Sequence, residues 1–131
     1  MYHQIRTNKG NLFFSPYSIS TALAMTYAGS RGETEKQMAK ALSFTLPQVE
    51  LHPAFAKLQG ELDKIQKAGK VKIHVANSLW PQEGFVLRRK FLALMERDYD
   101  TILTALDYGQ TEESRQIINR WVEENTQDKI K

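Results

Sequence analysis

The sequence predicts an α+β fold in which helices dominate and the strands are too few to close a sheet by themselves. Three observations lead there. Apolar residues recur at helical spacing in several stretches, each bounded by turn or capping residues. Residues 70–80, KVKIHVANSLW, alternate instead: Val71, Ile73 and Val75 face one way, and Lys70, Lys72 and His74 the other. Beyond Ala76 the polar face fades into Leu79 and Trp80, so this strand is expected to be buried on both faces and to need a neighbour on each side. TILTALDY, residues 101–108, can supply at most one.

Composition bounds the rest. A chain of 131 residues is one modest domain, with 41% hydrophobic and 25% charged residues, an ordinary globular balance. The formal charge is +3, but 15 acidic residues are interspersed with 18 basic ones, a pattern of a mixed solvated surface rather than of a nucleic-acid or membrane partner. The absence of cysteine excludes disulfides and thiolate metal sites. No apolar run reaches the length of a membrane span, and the start lacks the apolar stretch of a signal peptide.

In chain order, Tyr2 and Ile5 read as the last turn of a helix, followed by a turn at Asn8–Asn11. LFFSP is a short strand closed by Pro16. Residues 18–29 form a helix capped by Ser18 or Ser20, with Ile19, Leu23 and Tyr27 on one face and small alanines elsewhere, hence buried. Thr34 and Gln37 match a capping box opening a second helix that stops near Phe44. A loop holding Pro47 and Pro53 precedes a third, with Phe55, Leu58, Leu62 and Ile65 as its stripe and Gly69 as its end. After a turn at 81–84, residues 85–100 read as a helix carrying Phe91, Met95 and Tyr99. Thr111 caps the last helix, Glu112 and Glu113 suit its positive end, and Ile117, Ile118, Trp121 and Val122 form its buried face.

NLFFSPYSISTALAMTYAGSRGETEKQMAKAL resembles the serpin family closely, in the order strand, FSP-x-SI, small-residue helix, Gly-x-Thr, second helix. VANSLW looks like that family's asparagine-bearing central strand, and INRWVEENTQDKIK is similar to its helix and following turn. The resemblance runs from Ile5 to Lys131. It implies the N-terminal portion of a serpin fold: helices plus strands of the large central sheet, from inside the first helix to the turn after the helix that covers that sheet, incomplete without the rest of the chain.

The same resemblance implies a suicide-type protease inhibitor, not an enzyme, whose exposed loop is cleaved and then inserts into the central sheet. Its target is a serine or cysteine protease, and its location is extracellular or periplasmic. The reactive loop is absent from these residues. Lys131 would stand in an exposed turn of the kind proteases nick, so the chain is expected to be one piece of a split serpin, with a separate polypeptide supplying the C-terminal remainder. A non-inhibitory carrier or chaperone serpin would share this portion.

Several residues are singled out. Ser15 and Ser18 flank Pro16; the plain reading is a strand end and a helix cap, whereas the resemblance places all three, with Asn77, in the shutter where central strands part. Both readings of Asn77 make it buried and hydrogen-bonded. Ile117, Ile118 and Trp121 are core-facing by spacing, and by resemblance lie on the central sheet. Lys57, Lys64, Lys67, Lys70 and Lys72 are the one candidate contact for a polyanion such as a glycosaminoglycan, but Glu61 and Asp63 interrupt them, which favours a solvated face. His3, His52 and His74 lack ligand-like spacing, so neither metal nor other cofactor is expected. No nucleophile elbow or phosphate loop occurs.

Overall fold

The computed structural model describes residues 7, 10, 12, 14–69, 75–101 and 103–130. The expected helix end at Tyr2–Ile5, the turn residues Asn8, Lys9 and Asn11, Phe13 of the first strand, the alternation at 70–74 (with Lys70, Lys72 and His74), His3 and Lys131 lie outside these.

Among the described residues five helices follow one another: α1 (Pro16–Ala28), α2 (Gly32–Leu42), α3 (Gln48–Lys67), α4 (Arg89–Tyr99) and α5 (Thr111–Asn125). All five begin at a residue other than the one the sequence alone predicts. In α1 the cap is Ser15, not Ser18 or Ser20: its hydroxyl accepts from the Ser18 backbone N–H, and Pro16 takes the first helical position, where its fixed φ fits and its missing N–H costs nothing. In α2 the helix opens at Gly32, so Thr34 and Gln37 lie inside it and form no capping box.

In α3 the proline reading fails. Pro47 is the cap, and the Glu50 and Leu51 N–H groups both bond its carbonyl at 2.9 Å. Pro53 sits inside the helix, not in a preceding loop. The bond it removes would have used the Val49 carbonyl, and Val49 is 81% exposed, so solvent can serve that oxygen. The helix ends as expected at Gly69, whose φ of +74° suits glycine. Of the expected stripe, Phe55 and Leu62 are half-buried while Leu58 and Ile65 are exposed.

Residues 85–88 lie outside any helix; α4 starts at Arg89, after an extended Arg88. The turn at Gln82–Gly84, closed by the Phe85 N–H on the Gln82 carbonyl, sets this stretch off. Thr111 is the first residue of α5 rather than its cap, and its hydroxyl donates back to the Tyr108 carbonyl.

Among the described residues the strand-like pieces meet only as isolated parallel bridges, Leu79 with Leu103 and Gln82 with Leu106. Leu106 N–H bonds the Pro81 carbonyl at 3.0 Å and Glu83 N–H bonds the Leu106 carbonyl at 2.8 Å. So 103–106 does lie beside 79–83. Residues 75–80 are half-buried, however, not enclosed on both faces.

The core joins α1 to α4. Met25, Ala28 and Met95 are fully buried, with Leu79, Phe91, Leu94, Tyr99 and Leu103 packed around them. α3 lies against both α1 and α4. Its N-terminal end closes an aromatic cluster in which Tyr27, Phe44, Phe55, His52 and Tyr99 meet at centroid distances of 5.3–6.2 Å.

Candidate functional site

A cavity of about 300 Å³ opens where α1, α3, α4 and α5 approach the 75–77 segment. Tyr17 and Thr21 of α1 form one wall, Phe55, Gln59 and Asp63 of α3 a second, and Trp121 and Asn125 of α5 a third. Val75, Ala76 and Asn77 run along it, and the end of α4 closes it with Asp98, Tyr99 and Asp100.

A polar chain orders the α1–α3 side. The Tyr17 hydroxyl donates to Gln59 Oε1 at 2.7 Å, Gln59 Nε2 donates to Asp63 Oδ1 at 2.8 Å, and Thr21 Oγ1 donates to the Tyr17 carbonyl. Burial pushes the Tyr17 phenol above its ordinary range, and the nearby Asp63 charge adds to that. On the α4 side Asp98 is buried but doubly bonded by the exposed Arg97 guanidinium, at 2.6 and 2.7 Å.

Beside this pair stands a residue that the sequence offered only as a histidine without ligand-like spacing. His52 is 1% exposed, and its Nδ1 lies 2.6 Å from the Tyr99 hydroxyl. Its Nε2 has no hydrogen-bond partner among the described residues. Burial drives the imidazole below its usual value, opposed by the Asp98 charge and aided by Arg31 and Arg97. Burial also lifts the Tyr99 phenol well above the ordinary tyrosine value, with Asp98 contributing. Burial therefore favours the neutral imidazole. The geometry ties His52 to a phenol, not to a nucleophilic hydroxyl. Among the described residues no three histidine, aspartate or glutamate side chains converge as metal ligands.

Ser15, Pro16 and Ser18 come together at the start of α1, where the Ser18 hydroxyl donates to Ser15 Oγ at 3.0 Å. Asn77 shares the cavity with Tyr17 and Thr21 of the same helix. It is half-buried rather than fully buried, and among the described residues its side chain has no hydrogen-bond partner. Trp121 packs edge-on against Trp80 at 5.7 Å and 85°. It is half-buried, as are Ile117 and Ile118; the one buried residue of α5 is Ser114, whose hydroxyl donates to the Asp107 carbonyl. Trp80 is held in turn by the Tyr108 hydroxyl on its carbonyl at 2.8 Å.

Lys57, Lys64 and Lys67 are exposed on α3. Lys64 donates to Glu61 at 2.8 Å, and that bond holds the Glu61 carboxyl below its ordinary range, with Lys57 adding a smaller pull. The interruption expected from the sequence is thus an ion pair at the middle of the stripe.

These helices and bridges match a known architecture. The family model for serpins (serine protease inhibitors) matches residues 1–131. An uncharacterized serpin-like protein of Methanosarcina acetivorans is 33% identical over 132 residues, which is 100% of this chain and 30% of that protein. The leukocyte elastase inhibitor of Sus scrofa is 39% identical over 122 residues, 92% of this chain and 32% of its own length. Among solved structures, a cleaved Serpin 42Da superposes with a TM-score of 0.82 at 25% identity, covering 99% of this chain and 34% of that one. Cleaved kallistatin, solved with heparin, gives 0.82 at 27% identity over 98% and 39%. The chain spans roughly a third of the length of these relatives.

Proposed function

From the premise that the chain belongs to the serpin family, we propose that it serves protease inhibition as the N-terminal portion of a serpin. It supplies the parts that yield while a separate remainder supplies the bait loop. The observation that carries this reading is the cavity. α1 and α5 wall it on two sides, and the 75–77 segment runs along it with Asn77 on the lining. Past residue 78 that segment pairs with 103–106, and the cavity is room in which an added strand can lie beside it.

In this reading Ser15, Pro16, Ser18 and Asn77 form the shutter. The hydroxyls of Ser15 and Ser18 already bond each other, so each can exchange a partner at small net cost, about 0.5–1.5 kcal/mol per bond, as strands part. α5, joined to the rest through the half-buried Trp121, Ile117 and Ile118 and not through a deep core, is the element that gives way. A serine or cysteine protease cleaves the loop, becomes acylated, and is trapped when the loop inserts. The driving force is the completion of strand pairing in a metastable sheet. The chain provides scaffold and not catalysis. The whole protein acts outside the cytoplasm, extracellular or periplasmic. The pairing of Lys64 with Glu61 works against a polyanion site on α3.

The test uses the protein purified from its source. A denaturing intact-mass spectrum should show a second polypeptide or a longer chain that includes these residues. Incubation with serine and cysteine proteases should then give a complex that survives denaturation and contains peptides of this chain. A full protein that is cleaved without forming such a complex would turn the reading toward a non-inhibitory carrier or chaperone.

A further inference from the structure

A second depression lies between the end of α1 and the start of α4. Its outer compartment, about 600 Å³, is lined by Phe85, Val86 and Phe91 and rimmed by Arg31, Arg88 and Lys90. Gly29, Leu87 and Phe91 also line an adjoining compartment of about 250 Å³, which continues over Leu79, Trp80, Pro81 and Leu103. The result is one trough with a cationic end and an apolar end.

Phe85 is 67% and Val86 90% exposed, side by side in the non-helical 85–88 stretch. Two large apolar side chains presented together beside an apolar trough mark a contact surface more than scattered exposure does. The charge is one-sided: the described lining of the outer compartment has three cations and no carboxylate. Arg31 is fixed in place by bonds from its guanidinium to the Ala28 carbonyl and Gln48 Oε1. None of the three cations pairs with a carboxylate among the described residues.

We propose that this trough docks an acidic peptide segment of a protein partner, with carboxylates on Arg31, Arg88 and Lys90 and apolar side chains seated toward Trp80 and Leu103. Charge complementarity steers such a segment and sets its direction, while the apolar end supplies burial. A polysaccharide or lipid headgroup would use the cations and leave the apolar compartment empty.

The test is fluorescence anisotropy on the full chain with a labelled peptide alternating glutamate with leucine and phenylalanine. It should bind. The double variant Arg88→Glu, Lys90→Glu should weaken it at least about tenfold and favour the same peptide with lysine in place of glutamate. Gly29→Phe should block binding with the charges intact: Gly29 has an ordinary φ of −83°, and a Cβ there would lie 3.6 Å from the Phe91 ring, a normal contact. Val86→Asp, at a 90% exposed position, tests the apolar lining of the outer compartment without disturbing the fold. The proposal fails if no peptide binds, if binding survives these variants, or if heparin or phosphatidylserine vesicles engage the same residues while the peptide does not. Neither outcome depends on protease inhibition.

Discussion

The helical half of the molecule and its strand half are built to different standards. Where α1, α3 and α4 meet, Met25, Met95 and His52 are at most 1% exposed. Where the 75–83 segment meets 103–106 and α5, two tryptophans pack edge-on yet both stay half-buried, and the backbone pairs through isolated bridges. The cause lies in the backbone. A helix satisfies its own N–H and C=O groups and needs neighbours only for one face, whereas a strand obtains every backbone bond from another strand. The same chain can therefore complete a helical core and still leave its strands one-sided.

The largest effect that tests this contrast is Met95→Ala. Met95 is fully buried against Met25 and Ala28, so its loss should cost about 2–5 kcal/mol, read from the midpoint of urea unfolding. A cost below about 1 kcal/mol would mean that the helical half is no better packed than the other.

Trp121→Ala probes the strand half. A fully buried tryptophan would cost about 3–5 kcal/mol, but this one is half-buried and has Trp80 as its one aromatic partner among the described residues. The expected loss is about 1–2 kcal/mol, in the range of an edge-to-face pair plus partial burial. A loss as large as that of Met95→Ala would erase the difference between the halves. The same substitution in the complete protein, where an added strand would deepen the burial of Trp121, should cost more than it does here.

What the sequence revealed and what it hid follow the same division. Patterns that depend on residue type within one turn were legible: the buried small-residue helix at α1, the end of α3 at Gly69, the acidic first turn of α5. Cap identity was not, because Ser15, Ser18 and Ser20 offer the same hydroxyl and only the chain path chooses among them. Pro53 misled because a proline in a helix is judged by the carbonyl it orphans, and the exposure of Val49 is a property of the fold. Trp121 and the isoleucines were placed on the correct face, but spacing gives direction and not depth. The resemblance groups Asn77 with the serines, whereas the cavity that Asn77 lines takes Tyr17 and Thr21 from α1 and neither Ser15 nor Ser18. The resemblance did not supply that cavity.

His52 lies inside the helical half, between Tyr27 of α1 and Tyr99 of α4, and it gives the smallest effect and the most specific one. Reading Pro53 as a loop residue put His52 outside any helix, and its partner Tyr99 lies 47 residues away, so no local pattern could reveal the pair. The native state keeps the imidazole neutral because burial depresses its affinity for a proton, with Arg31 and Arg97 adding to the effect and Asp98 opposing it. The unfolded chain holds a histidine at its ordinary value of 6.5. Above that pH both states are neutral, and the contribution to stability is complete. As pH falls below it, the unfolded state takes up a proton that the folded state refuses. Stability should then drop by at most about 1.4 kcal/mol per pH unit, levelling off once the depressed native value is passed. His52→Gln should remove this loss between pH 6.5 and the native value while leaving the acid unfolding due to carboxylates in place. The native imidazole resonances, followed by NMR, should show no titration near pH 6.5. If they titrate there, the imidazole is reached by water and the junction of α3 with α4 is looser than the aromatic cluster implies. If they do not, the tightly built half of the molecule extends as far as the cavity wall at Tyr99, and the loosely packed elements are α5 and the segment that carries Asn77.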